Sequence, residues 1–203
     1  MRILMSMALL ACLASLPAAA RPVTYKLDPN HTQVRVVWNH FGFSNPDANF
    51  THITGTLVYD AAHPAKSSVR VNIPLSGLDA HVAKLTEHLE GPAFFDAAKF
   101  PVARFVSKRV VADGKDRLTV HGELSVHGVT RPVTLRVRVN KVGMQPMWKA
   151  PAAGFDATTT LKRTDFGVGA YVPMVSNEVH VHITVEAIEA SAYARMMKAM
   201  QGK

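Results

Sequence analysis

The chain of 203 residues is almost without cysteine: Cys12 is the only one. A single thiol excludes an internal disulfide and any cluster of thiolate ligands. Catalytic signatures are also missing. There is no H-E-x-x-H, no G-x-S-x-G, no P-loop and no Gly-rich dinucleotide fingerprint. Carboxylates are scarce beside cations, 15 against 23, giving a formal charge of +8. Such a balance suits an anionic headgroup, a membrane surface or a nucleic acid. The cations are nevertheless scattered, as at Arg35, Arg70, Arg104, Arg136 and Arg138, with no block of five. That is how a solvated sheet exterior reads, and it argues against nucleic acid.

Long apolar runs are absent too. The longest, Ile3 to Leu16, is interrupted by Ser6 and Ser15 and ends before Pro17, short of the roughly 18 apolar residues of a membrane span. With Arg2 before it and Ala18-Ala19-Ala20 after it, this run reads as a secretory leader cleaved before Arg21. Export to the periplasm is the expectation, and cleavage would remove the one thiol. Leu9-Leu10-Ala11-Cys12 is a poor lipidation site, because Leu10 is atypical there and the preceding run is very short. Residues 21–190 then form one domain and 191–203 a tail.

What the chain has in abundance is alternation. In VHGELSVHGVTRPVTLRVRV, Val120, Leu124 and Val126, with Gly122 in the gap, face one way, and so do Val133, Leu135, Val137 and Val139. His121, Glu123, Ser125, His127, Thr134, Arg136 and Arg138 fall between them, so this is a β-hairpin with an oily and a wet face. Gly128 to Pro132 reads as its corner. Period two recurs at Val34/Val36, Ile53/Leu57/Tyr59, Val69/Val71/Ile73, Phe155/Ala157/Thr159/Leu161 and Val179/Val181/Ile183/Val185. Turn residues separate them, as at Asp28-Pro29-Asn30, His63-Pro64 and Asp113-Gly114-Lys115-Asp116.

About eight antiparallel strands result. Asp79–Glu90 breaks the pattern as a short amphipathic helix with Gly91-Pro92 as its stop, and Tyr193, Met196, Met197 and Met200 give the tail helical spacing, read as a frayed terminal helix in preference to one lying on a membrane or a partner. The oily faces must be buried in a sandwich or a closed barrel. Periodicity alone does not choose between them.

Several stretches resemble one family. Tyr25 to Thr32 is similar to a Y-x-x-D-x-x-H-S opening, and Ile53 to Asp60 to an F-x-G-x-L-x-x-D strand. Phe94-Phe95-Asp96 with Phe100-Pro101 to Phe105, Gly122 to Val133, Arg163-Thr164-Asp165-Phe166-Gly167 and Val175 to Val179 follow in family order. These resemble the YceI-like polyisoprenoid-binding proteins. The resemblance implies an all-β fold, an extended lipocalin-like antiparallel barrel with a short helix near the mouth. It also implies a periplasmic carrier or store that is no enzyme and takes an isoprenoid lipid, with isoprenoid quinone favoured, as a non-covalent ligand rather than a cofactor. Leu85-Thr86 and Asn177 depart from it, standing where Arg-Asp and Asp are common, which puts the helix beside the mouth in question.

The expected ligand contacts are diffuse and apolar: Val34, Val36, Trp38, Val71, Ile73, Phe105, Leu124, Val126, Leu135, Val137, Phe155, Val181 and Ile183. For each, ordinary core packing is an equal reading. No metal is expected: His180 and His182 share one side of a strand, but on its wet face with no carboxylate at matching spacing. His31 reads as a loop hydrogen-bonding residue in preference to a headgroup contact, and Arg163 and Asp165 as an ion pair across a turn in preference to a headgroup clamp. Two rival readings remain. One is an accessory of a membrane quinone or cytochrome system, in transient contact with the membrane; the other is a structural barrel with a protein-binding rim.

Overall fold

The computed structural model describes residues 21–201, so the expected leader lies outside the described residues. Eleven strands form one antiparallel sheet: β1 (Val23–Leu27), β2 (Gln33–His40), β3 (Asp47–Phe50), β4 (Thr54–Tyr59), β5 (Ser68–Pro74), β6 (Leu78–Asp79), β7 (Val102–Ala112), β8 (Arg117–Val126), β9 (Val129–Gln145), β10 (Ala150–Lys162) and β11 (Val175–Glu189). Helix α1 (Ala83–Glu90) stands between β6 and β7, and α2 (Ala190–Gln201) follows β11. The chain is all-β, and its alternating faces are buried by closure rather than by a second sheet.

The barrel has eight staves, of which the first three are each broken in two. β1 and β2 lie along the same long β11, with Leu27 opposite Ala187 and Val34 opposite Ile183. β4 and β3 flank them in turn, and β5 and β6 come next. Local chemistry makes the breaks. Asp28 accepts the Asn30 N–H at 3.0 Å, Thr51 donates its N–H to Gly77 at 2.9 Å, and a Cβ on Gly77 would strike the Thr51 backbone.

The two ends differ. At the first, the ladder runs unbroken from β11 through β1, β4, β5 and β7 to β10. At the other, no ladder joins β6 to β7 among the described residues. Leu75 N–H to Pro101 at 2.9 Å bridges them, and α1 with residues 91–101 fills the gap.

Three sequence expectations need correcting. The β8–β9 corner is His127-Gly128, with φ of 51° and 75°, the positive pair a two-residue hairpin needs. Pro132 is already inside β9, opposite Glu123, where β10 offers no register partner, so its missing donor breaks no ladder. Helix α1 starts at Ala83 rather than Asp79, because Asp79 pairs with Asn49 in the sheet and its side chain accepts the His81 N–H at 2.8 Å. The tail helix is docked rather than frayed: Ala192, Tyr193 and Met196 pack on Ala150 and Ile188.

Candidate functional site: an apolar lumen

The lumen is a cavity of about 490 Å³, inside the range of roughly 300–1,000 Å³ common for small-molecule sites. Its wall follows from the pleat, since every second residue of each stave points inward. The structure places Val34, Val36 and Trp38 of β2 in that wall, with Val71 and Ile73 of β5, Phe105 of β7, Leu124 and Val126 of β8, Leu135 and Val137 of β9, Phe155 of β10 and Val181 and Ile183 of β11. Room for Phe105 depends on Gly122: a Cβ there would overlap the phenyl ring and approach the Val106 carbonyl oxygen to 2.6 Å. Across the lumen Phe155 meets Tyr59 edge to face, centroids 5.3 Å apart.

Sequence periodicity misses the residues that close the α1 end, because they sit on a helix and loops. Leu85 and Leu89 of α1, then Phe94 and Phe95, add apolar wall. Phe95 packs edge to face on Phe50 at 5.8 Å. His88, Phe94 and Tyr171 form a mutual cluster, His88 edge to face on Phe94 with centroids 5.0 Å apart and both rings 6.1 Å from Tyr171. The absent Arg-Asp pair is replaced simply: Leu85 turns into the lumen and the Thr86 hydroxyl accepts the Ala80 N–H at 3.0 Å.

Among the described residues Arg163 is the one permanently charged residue in the wall, and it makes no ion pair with Asp165. Nε donates to the Ser176 carbonyl at 2.9 Å. Nη1 donates to Val168 at 2.6 Å and to Ala170 at 3.3 Å. Nη2 donates to Ala170 at 3.3 Å and Val175 at 3.1 Å. All its donors are spent on backbone, so it brackets the loop from 163 to 176 instead of clamping a headgroup. Burial lowers its pKa below the ordinary guanidinium value, and a guanidinium keeps its charge regardless. Asn177 supports the same loop, accepting the Thr164 N–H at 3.0 Å and donating to the Thr164 hydroxyl at 2.9 Å.

Of the histidines, His40 and His88 reach the wall, and the others lie elsewhere. His180 and His182 are exposed on the outer face of β11, and His180 Nδ1 is 3.2 Å from the Thr160 hydroxyl. His121 contacts the Thr134 hydroxyl at 3.0 Å, while His127 packs edge to face on Phe100, centroids 4.9 Å apart. Asp28, His31 and Glu186 bring possible ligand atoms within 4.8 Å of one another. Asp28 Oδ2 is already hydrogen-bonded to His31 Nδ1 at 2.7 Å and Oδ1 to Asn30, so this trio is a bonded corner between β1 and β2. It lies apart from the lumen wall.

A single antiparallel barrel enclosing an apolar cavity, with one charged wall residue turned entirely to its own backbone, defines a container. The YceI-like domain matches residues 25–187, and the chain belongs to that family. A UPF0312 protein of Vibrio cholerae is 35% identical over 182 residues, covering 89% of this chain and 95% of its own. Burkholderia cenocepacia BcnA superposes with a TM-score of 0.72 at 24% identity, over 79% of this chain and 98% of its own. A domain from Saccharophagus degradans, described as polyisoprenoid-binding and implicated in plant cell wall breakdown, gives 0.65 at 15% identity over 82% and 99%. Both structural likenesses speak to the fold.

Proposed function

We propose that this protein is a periplasmic carrier or store for a long-chain isoprenoid lipid, with isoprenoid quinone as the favoured class, and that it binds rather than transforms its ligand. One observation carries the reading: the wall is hydrocarbon on every stave and its only permanent charge among the described residues has no donor left to offer. Such a wall recognises a chain by removing it from water. At about 0.8 kcal/mol per buried methylene, each five-carbon unit is worth about 4 kcal/mol before ordering costs. The description of the Saccharophagus domain as polyisoprenoid-binding supports the ligand class, and the leader-like residues 1–20 support export. Loading and delivery would take place at a membrane, in transient contact with the bilayer or with a membrane cytochrome.

Organic extraction of the purified protein followed by mass spectrometry tests the proposal. A stoichiometric polyprenyl species is the expected result, and an extract free of lipid would sink it. Facing supplies an internal control. Val137→Asp puts a carboxylate into the wall, where an unpaired charge is so costly that it protonates, draws in water or disrupts packing; lipid retained per folded molecule should fall sharply. Arg138→Asp, on the wet face beside Asp156, should keep its load. The reverse outcome would invert the assignment of the lumen wall.

A further inference from the structure

Large apolar side chains are exposed at both ends of the barrel, but only at one end do the elements that carry them hold charge of a single sign, which is positive. Past Arg138, the last β9 residue paired with β8, β9 continues through Asn140–Gln145 bonded on one side only, to β10. Six residues of strand reach about 20 Å. This overhang exposes Met144 and, in the turn, Met147 and Trp148, the last two 80% and 42% exposed. The turn is ordered, with the Trp148 N–H donated to Gln145 Oε1 at 2.8 Å. Beside it α2 packs on Ala150 and Ile188 and exposes Met197 and Met200.

Charge on the hairpin tip and on α2 has one sign. From Asn140 to Phe155 and from Ala190 to Gln201 there is no carboxylate, while Lys141, Lys149, Arg195 and Lys198 are all exposed. The wet face of β8 and β9 extends the field: Arg117 stands directly opposite Arg138, a like-charged pair that costs stability. Asp113 and Asp116 in the neighbouring β7–β8 turn are balanced by Lys115 and Arg117. Asp156 answers only Arg138, at 3.3 Å, and Lys108 is paired with Glu123 at 2.9 Å. Asp28 and Glu189 are engaged with His31 and with the start of α2. At the α1 end, by contrast, Phe41, Phe43, Tyr171 and Met174 are exposed among Glu87, Glu90, Asp96, Asp165 and Glu178 as well as Lys84, Lys99 and Lys162.

We propose that the β9–β10 hairpin and α2 form the surface by which this protein docks on an anionic lipid bilayer. Trp148, Met147 and Met144 enter the interface, where amphipathic rings and apolar side chains settle. Lys141, Lys149, Arg195 and Lys198 meet the headgroups. The apolar stripe of β9 that lines the barrel through Val133, Leu135, Val137 and Val139 runs on outside it as Val142 and Met144. The bulge at Gly154/Phe155 keeps Val142 in step by pairing it with the buried Ala153. The docking surface thus continues the inward-facing stripe of β9 beyond Val137, the last β9 residue in the cavity wall. The proposal deepens the lipid-carrier reading and rests on it for its purpose.

Co-sedimentation of the purified protein with vesicles tests it. Binding is expected with phosphatidylcholine containing phosphatidylglycerol, weakening as salt rises, and not with phosphatidylcholine alone. Tryptophan emission should shift to the blue on binding, and Trp148→Phe should remove the shift. Lys141→Gln with Lys149→Gln should weaken binding about thirtyfold, and Met147→Ser should weaken it further, while Phe43→Ser at the α1 end leaves it unchanged. The hairpin changes are all on exposed side chains, and circular dichroism checks the sheet. Equal binding to neutral vesicles, loss of binding through Phe43→Ser instead, or no vesicle binding, with or without capture by an acidic protein, would each overturn the proposal. Mass spectrometry of the same preparations separates the two readings. Protein that sediments but yields no polyprenyl lipid keeps the docking surface and loses the carrier; loaded protein that ignores anionic vesicles does the opposite.

Discussion

The two ends of the barrel are closed by different means. At the hairpin end, β1 returns to β11 with Tyr25 opposite Glu189 and Leu27 opposite Ala187, so closure is spread over backbone groups that every residue supplies. At the α1 end the ladder stops between β6 and β7. Closure there falls to Leu85, Leu89, Phe94 and Phe95 and to the loop that Arg163 gathers. A ladder tolerates the loss of any one side chain. A bracket made by one guanidinium does not, so single substitutions should be far costlier at the α1 end.

The largest effect expected is from Arg163→Met. It keeps apolar bulk and removes every donor from the carbonyls of Val168, Ala170, Val175 and Ser176. Leaving several part-buried acceptors unpaired should cost about 4 kcal/mol and lower Tm by roughly 12 °C for a domain of this size. Arg163→Lys should recover only a fraction, since one ammonium cannot span the same acceptors. Thermal unfolding followed by circular dichroism gives the answer. If Arg163→Met melts with the unchanged protein, the α1 end is held by something other than this bracket.

This same contrast marks what can be read from the sequence. The staves are legible because one-sided burial imposes period two, and Val34, Val71, Leu124, Leu135 and Val181 each announce an inward face. The family motifs mark the corners. Arg163 misleads because Asp165 is its only nearby acid in sequence, whereas its actual partners are carbonyls, which no side-chain pattern displays. His127-Gly128 is overshadowed as the corner by the more conspicuous Pro132. The breaks in the first three staves are hidden for another reason: Asp28 and Gly77 act through backbone geometry, and the inward parity changes across each break, from Leu27 to Val34, from Phe50 to Ile53 and from Ile73 to Leu78, so each half reads as a separate run. The docking of α2 escapes sequence reading because Ala150, Ile188 and Ala192 become one cluster only after β10 and β11 have paired.

A smaller effect is expected at the hairpin end, where Glu189 caps α2. Its carboxylate accepts the Ser191 N–H at 3.0 Å, the Ala192 N–H at 2.9 Å and the Ser191 hydroxyl at 2.7 Å. Those bonds, the Ser191 backbone first, hold its pKa below the ordinary 4.5. A depressed carboxylate adds stability that is present above its unfolded value and is lost as pH falls through the folded one. Glu189→Ala should therefore cost about 1 kcal/mol at neutral pH and much less once the carboxylate is protonated. Urea unfolding at neutral and acid pH measures both. A loss equal at the two pH values would show that packing, and not the cap, is what the substitution removes.

The smallest effect is at the corner between β1 and β2, and it has the opposite sign with pH. His31 Nδ1 lies 2.7 Å from Asp28 Oδ2, and that hydrogen bond, then the carboxylate charge, raises the imidazole above its ordinary 6.5. A raised histidine contributes stability that is fully present below its unfolded value and disappears as pH rises through the folded one. The window therefore opens just above pH 6.5. With the His31 side chain 62% exposed, solvent screens the pair and only a few tenths of a kcal/mol are expected. His31→Gln should leave the alkaline Tm almost unchanged and slightly lower the Tm on the acid side of 6.5, flattening the difference between them. A variant as pH-dependent as the unchanged protein across that window would mean that another group titrates there. Because the Arg163 bracket keeps its charge throughout, Arg163→Met should lower Tm by the same amount on both sides of that window.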